Sequence, residues 1–294
     1  MPEIPEVQAL VDSLAERTEG ATIVGAELAA LSALKTFDPP LTALVGATVV
    51  GTRRIGKHIV LDCVDADGES LSLVIHLARL GWMSWRDGVA ARAKPGRGPL
   101  ALRVTFEREG AVGVMDVTEA GTKKSLTVHV VRDPYSIERI ARLGRDPIQQ
   151  PFTEAELDEL LKAQRKRRLK TVLRDQKVLA GVGNAYSDEI LHAAKLSPFT
   201  PSESLSAAQL TALHTALNGI LGEGIERALG VPWNELKDGK RFAMRVHARA
   251  GEKCDVCGDV IRQVSYVDEH FEYCATCQTG GQILADRRMS KLLK

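Results

Sequence analysis

The chain has 294 residues, with 39 lysines and arginines against 38 acidic residues and a formal net charge of +1. That length exceeds what one hydrophobic core ordinarily serves and predicts two domains, or two with a small module; the near-zero charge excludes a uniformly basic or acidic surface. No stretch approaches the ~20 apolar residues of a membrane span, and the N-terminus lacks the basic-then-apolar pattern of a signal peptide, so a soluble, cytoplasmic setting is expected.

Pro2 follows Met1, and Glu3, Pro5 and Glu6 come next at the mouth of a predicted helix over 5–17, in which Val7, Leu10, Val11 and Leu14 recur at i, i+3, i+4 and i+7. Removal of Met1 leaves Pro2 with a free secondary amine. Attack of that amine on an aldehyde-level carbon gives an iminium that is already cationic, an electron sink that needs no further protonation. Glu3 is one residue away to shuttle protons, and the positive end of the helix lowers the amine's pKa. The same residues also suit an ordinary helix start, with Pro5 in the first turn and the two glutamates complementing the dipole.

The next hundred residues change period. Segments 58–64, 71–77, 100–106, 112–117 and 126–131 are short, rich in β-branched residues and separated by Gly/Asp/Glu turns, which predicts an antiparallel sandwich or barrel. Gly56-Lys57-His58 leads into the first of these, with Arg53 and Arg54 close by; these charges are either solvent-facing or functional. Cys63 alternates with Ile59 and Leu61 and reads as an inert core thiol. Proline-containing stretches at Asp133-Pro134 and Gly144 to Pro151 mark a boundary, giving an N-terminal domain over 1–134 and a linker over 135–150.

A helical domain is predicted over 151–245. Thr153 with Glu156 forms a capping box inside a Phe152–Leu157 staple, and Leu205-Ser206 with Gln209-Leu210 repeats the device. Lys162, Arg165, Lys166, Arg167, Arg168, Lys170, Arg174 and Lys177 place eight positive charges against one acid, Asp175, within sixteen residues. The run leads into Gly181-Val182-Gly183-Asn184 and a helix starting near Ala185, whose N-terminal N–H groups suit a phosphate. In the last segment, 246–294, Cys254-x2-Cys257 and Cys274-x2-Cys277 enclose sixteen residues, the pattern of one structural Zn ion in a closed tetrahedron, and a basic tail follows. The odd fifth cysteine and the paired spacing argue against a disulfide framework. A nucleic-acid-binding face is the expected use of the basic run and the zinc module together.

Taken in order, Pro-Glu-Ile-Pro-Glu-Val at 2–7, Arg-Ile-Gly-Lys-His at 54–58, His76-Leu77, Gly-Val-Gly-Asn-Ala-Tyr-Ser-Asp-Glu at 181–189 and C-x2-C-x16-C-x2-C resemble the formamidopyrimidine-DNA glycosylase and endonuclease VIII family, its formamidopyrimidine branch above all. The resemblance implies an α+β multidomain fold: a helix on an antiparallel β-sandwich, a helix–two-turn–helix domain and a zinc β-hairpin, with damaged double-stranded DNA held in a cleft between two lobes. It further implies base excision repair by a nucleoid-associated monomer, a glycosylase and abasic-site lyase. Pro2 would attack C1′ and expel the damaged base, Glu3 would assist sugar opening and proton transfer, and the iminium would permit β- and δ-elimination. Glu6 matches a second carboxylate, Lys57 a phosphate-holding lysine, His76 a phosphate-contacting histidine and Asn184 a phosphate-binding asparagine. Lys166, Arg167 and Arg168 are the candidate DNA-facing members of the basic run.

The departures fall on lesion recognition. Glu269 stands where the family's hairpin offers an arginine, Arg79 replaces an intercalating methionine, and Asp116-Val117-Thr118-Glu119-Ala120-Gly121 replaces a loop carrying an arginine and a phenylalanine wedge. Extruding a base costs a few kcal/mol, normally offset by such a plug. Abasic sites, oxidised pyrimidines and ring-opened purines are therefore expected before 8-oxoguanine, and the alternative reading is a protein that binds damage without excising it.

Overall fold

A computed structural model describes residues 1–94, 96, 98–265 and 270–284, with the backbone alone at 237, 238 and 241. Glu269 and the basic tail residues Arg287, Arg288, Lys291 and Lys294 lie outside the described residues. The chain divides into two compact units, Met1–Arg142 with Arg227–Lys237, and Leu143–Glu226 with Asp238–Lys294.

The first unit begins with α1 (Ile4–Thr18), whose stripe of Ile4, Val7, Leu10, Val11 and Leu14 is buried. Eight strands follow: β1 (Thr22–Leu28), β2 (Thr48–Ile55), β3 (His58–Val64), β4 (Ser70–His76), β5 (Gly81–Asp87), β6 (Leu100–Arg108), β7 (Ala111–Glu119) and β8 (Thr127–Val131). They form one antiparallel sheet in the order β5-β7-β6-β1-β2-β3-β4-β8. β1 and β2 meet at a single residue pair, Thr22 with Thr48, so the sheet folds there into two four-stranded halves. Their inner faces share one core, in which Ile59, Leu61, Leu73, Ile75 and Val128 meet Met83, Val104, Phe106, Met115 and Val117. Apolar burial on this scale is the dominant favourable term for such a unit.

β3 is buried on both faces, because Val60 and Val74 pack outward against Ile137 and Ile140 of the segment that contains α2 (Glu138–Ala141). Residues 227–237 return to this unit: Trp233 and Leu236 join the core, and Trp82 Nε1 donates to the Trp233 carbonyl at 2.7 Å. Three strands, β1, β2 and β5, have no counterpart among the segments expected from sequence. In β1 and β2 a register shift at Gly25 and at Gly51 breaks the period-2 alternation that a strand reading needs.

The second unit carries α3 (Glu154–Ala163), α4 (Leu169–Arg174), α5 (Asn184–Ala193) and most of α6 (Ala207–Ala228). α7 (Leu236–Ala243) follows, then the hairpin of β9 (Ile261–Ser265) and β10 (His270–Cys274), and α8 (Ala275–Thr279). Both expected helix starts form. Thr153 Oγ1 accepts from the Glu156 amide, Phe152 and Leu157 are buried, and Ser206 and Gln209 cap each other reciprocally. The α4–α5 turn is templated by Gln176, whose side chain accepts from Gly181 N–H and donates to the carbonyls of Arg174 and Val182. Gly181 sits at φ 92°, the left-handed region that favours glycine. Gly144 passes so close beneath this turn that a Cβ there would lie 2.4 Å from the Lys177 carbonyl oxygen, so only glycine fits.

Candidate functional site

At the chain start Pro2, Glu3 and Glu6 are all buried, and Met1 is half exposed. The Glu3 amide donates to Glu6 Oε2 at 2.8 Å and the Glu3 side chain accepts from the Glu6 amide, so the pair closes the first turn of α1 as a capping box. Lys57, 6% exposed, occupies the two-residue tip between β2 and β3 beside Gly56 at φ 58°. Arg54 ties that tip to α1, donating to the Gly56 carbonyl at 2.7 Å and to Gln8 Oε1 at 3.0 Å. The structure thus gathers Pro2, Glu3, Glu6 and Lys57 within one unit, with α1 and the β2–β3 tip bonded to one another.

His76 ends β4 opposite His58, their ring centroids 4.8 Å apart. Burial lowers the His76 pKa to about 3 and that of His58 to about 4, so both imidazoles are neutral near pH 7. His76 Nδ1 is buried without a hydrogen-bond partner, which makes Nδ1 the acceptor nitrogen and leaves Nε2–H as the donor. A phosphate contact from His76 is accordingly a neutral hydrogen bond rather than an ion pair.

Residues 116–119 are strand, not loop: β7 runs to Glu119 and pairs Thr118 with Trp82 and Glu119 with Gly81. The loop read from sequence at 116–121 therefore starts later, at Ala120. Buried Glu119 closes it by accepting from the amides of Ser125 at 2.7 Å and Leu126 at 3.0 Å. A buried carboxylate must be hydrogen-bonded, and this one spends itself on the loop. Arg79 is exposed, just beyond β4.

The basic run divides between surface and interior, and Arg165, Lys166, Arg167 and Arg168 are all exposed. Lys166 is exposed; Arg167 donates to Gln164 Oε1 at 2.5 Å and to Asp175 at 2.8 Å; Arg168 lies 4.0 Å over the Phe199 ring. Lys170, counted from sequence among the run's charges, is buried instead. Its Nζ reaches Asp188 Oδ1 at 2.6 Å, the Asn184 carbonyl at 2.7 Å and Ser187 Oγ at 2.8 Å. Asn184 opens α5, and its Nδ2 donates to the His270 carbonyl at 2.9 Å, so its amide joins the turn to the hairpin.

This is the head of a buried polar chain that sequence reasoning missed. Asp188 Oδ2 accepts from His247 Nδ1 at 2.7 Å, and Glu272 Oε2 lies 3.1 Å from the same nitrogen. Burial lowers the His247 pKa, but its hydrogen bond to Asp188 and the nearby Glu272 carboxylate outweigh burial and raise the value to about 9. Burial also opposes ionisation of Glu272, yet the His247 partner holds it down at about 2. Glu189 accepts three backbone N–H groups, from Arg245 at 2.7 Å, Val246 at 3.0 Å and His247 at 2.9 Å. The one sequence signal for this chain is the spacing of Asn184, Asp188 and His192, four residues apart on one face of α5.

The four cysteines converge. Cys257 Sγ and Cys274 Sγ are 3.3 Å apart, Cys254 Sγ and Cys277 Sγ 3.9 Å, and all four sulfurs lie within 4.8 Å of one another. A tetrahedral ion with metal–sulfur bonds of about 2.3 Å requires sulfur separations of about 3.8 Å, so the set fits such an ion. The module is anchored through Gln278, which accepts from the Cys274 amide and donates to the Leu196 carbonyl, each at 2.9 Å.

Among the described residues no helix is long and apolar enough to cross a membrane. Residues 1–123 match the formamidopyrimidine-DNA glycosylase N-terminal domain and residues 143–232 the formamidopyrimidine-DNA glycosylase H2TH domain. An uncharacterized formamidopyrimidine-DNA glycosylase-like protein of Mycobacterium tuberculosis is 59% identical over 127 residues, 43% of this chain and 80% of that one. The formamidopyrimidine-DNA glycosylase of Heliobacterium modesticaldum is 31% identical over 291 residues, 95% of this chain and all of that one. A crystal structure of Lactococcus lactis Fpg in complex with DNA containing an oxidized pyrimidine superposes with a TM-score of 0.79 at 25% identity, over 95% of this chain and 100% of that one.

Proposed function

The chain belongs to the formamidopyrimidine-DNA glycosylase family, and on that premise we propose that it is a bifunctional DNA glycosylase and abasic-site lyase that acts on damaged double-stranded DNA in base excision repair. The observation that carries this reading is the burial of Pro2, Glu3 and Glu6 together at the first turn of α1, with Lys57 on a hairpin tip bonded to the same helix. Burial and the positive helix end both favour the neutral, nucleophilic form of the Pro2 amine once Met1 is gone.

Pro2 nitrogen bonds to C1′ of the damaged nucleoside, and the bond to the base breaks with its electron pair. Glu3 transfers the proton that opens the sugar. The resulting iminium makes the C2′ proton acidic, so elimination expels first the phosphate on one side of the abasic sugar and then the other. Glu6, through its bond to the Glu3 amide, holds the first turn that carries the nucleophile. Lys57, His76 and Asn184 contact phosphates beside the lesion, with Lys166, Arg167 and Arg168 along the backbone. Cys254, Cys257, Cys274 and Cys277 hold one structural Zn, which closes the C-terminal module and takes no part in the chemistry.

A second reading, recognition of damage without excision, draws on one observation: the 120–126 loop is closed by Glu119 rather than armed with a wedge. Borohydride trapping separates the two. The native chain incubated with abasic-site duplex is expected to give a covalent adduct, which Pro2→Gly weakens and retention of Met1 abolishes. An untrappable native chain that binds the duplex normally establishes the binding-only reading.

A further inference from the structure

His192 lies in the last turn of α5 and is 4% exposed. Its Nε2 stands 3.4 Å from Cys254 Sγ, while its Nδ1 is buried with no hydrogen-bond partner. A buried imidazole with one partnered and one orphaned nitrogen is least costly when the partnered nitrogen carries the proton, because a bare lone pair is a cheaper orphan than an unmet N–H.

We propose that His192 is a positioning residue for the four-cysteine centre, donating Nε2–H to the thiolate of Cys254. The proposal rests on the reading that the four thiolates hold a Zn ion. Four thiolates on a divalent ion carry a net charge of −2, and Cys254 is only 2% exposed, so water does little to compensate the charge on its sulfur. A hydrogen bond from a neutral ring spreads that charge without adding a proton to the ligand set. The four sulfurs already close a tetrahedron, which places the imidazole outside the coordination shell.

The consequence reaches beyond the cysteines. Asn184, Asp188 and His192 form one face of α5, and all three contact the C-terminal segment: Asn184 the His270 carbonyl, Asp188 the His247 ring, His192 the Cys254 sulfur. The metal centre is thereby fastened to the helix whose first residue is the candidate phosphate ligand. Hydrogen-bond donors of this kind change metal retention by about 10–100-fold when removed.

The test uses the full-length chain. Metal content is measured first, then the rate at which a chelator withdraws Zn from the native protein, from His192→Phe and from His192→Gln. Expected are one Zn per chain in all three, release about tenfold or more faster for His192→Phe, and an intermediate rate for His192→Gln, whose amide can still donate. With Co2+ in place of Zn, loss of the donor moves the thiolate-to-metal charge-transfer band to longer wavelength, by less in His192→Gln than in His192→Phe. Should His192→Phe fail to fold, the band in His192→Gln still decides. Native release rates with an unmoved band overturn the proposal while leaving the four-cysteine centre intact. Cobalt bands of a three-sulfur, one-nitrogen site in the native chain overturn it too, since His192 would then be a ligand. A native chain that carries no metal sinks both the Zn reading and this one.

Discussion

The two units are held by different physics. The first closes apolar face on apolar face, and four of its buried charges, Glu3, Glu6, Arg54 and Lys57, gather where α1 meets the β2–β3 tip, with buried Glu119 apart from them at the 120–126 loop. The second runs charge through its interior: Lys170, Asp188, His247 and Glu272 form a buried chain from α4 through α5 to β10. The difference teaches where each unit tolerates change. An apolar core loses stability in proportion to the volume removed, whereas a buried ion chain fails when one member goes, because the others remain buried and unpaired.

The largest effect is expected from Lys170→Met, which removes one of the two cations paired with buried Asp188 and destabilises the second unit by about 4 kcal/mol. All three tryptophans, Trp82, Trp85 and Trp233, belong to the first unit. The loss should therefore appear in denaturant unfolding followed by far-ultraviolet circular dichroism of the helices, with the tryptophan fluorescence transition unmoved. A joint shift of both signals would break the contrast between the units. Leu61→Ala is the converse: its side chain is fully buried in the shared core, and about 3 kcal/mol should be lost from the fluorescence transition, equally at every pH between 5 and 9.

The smallest effect is the pH dependence, and it sharpens the comparison most. His247 is raised to about 9, so the stability it contributes is complete below its unfolded value of about 6.5 and is lost as the pH climbs through about 9. Glu272 is held at about 2, so its contribution is complete above its ordinary value and disappears as the pH falls through about 2. The circular dichroism transition should decline on the alkaline side, above about pH 6.5. His247→Gln is expected to remove the alkaline decline. Persistence of the same decline in that variant would assign it to another group.

The legible parts were those governed by short-range pattern. The α1 stripe, β3, the caps at Thr153 and Ser206 and the paired cysteines each follow from residues within a turn or a strand of one another. β1 and β2 were illegible because a bulge in each shifts the alternation by one residue. The 116–121 stretch read as loop because it stands where the resembled family carries one. Only pairing with Trp82 and Gly81, more than thirty residues earlier, makes Thr118 and Glu119 strand.

What the sequence by itself determined is the family, the order of domains and the chemistry available: a second-position proline with two adjacent glutamates, a hairpin lysine, a glycine turn and four thiolates at metal spacing. What only the tertiary structure decided is which charges face solvent. Lys170 reads as one more member of a basic run until Asp188, eighteen residues on, is found 2.6 Å away in the interior, and His192 reads as a helix residue until it meets Cys254, sixty-two residues later. Burial and long-range pairing set the free energy of an ionisable group, and neither is encoded in its immediate neighbours.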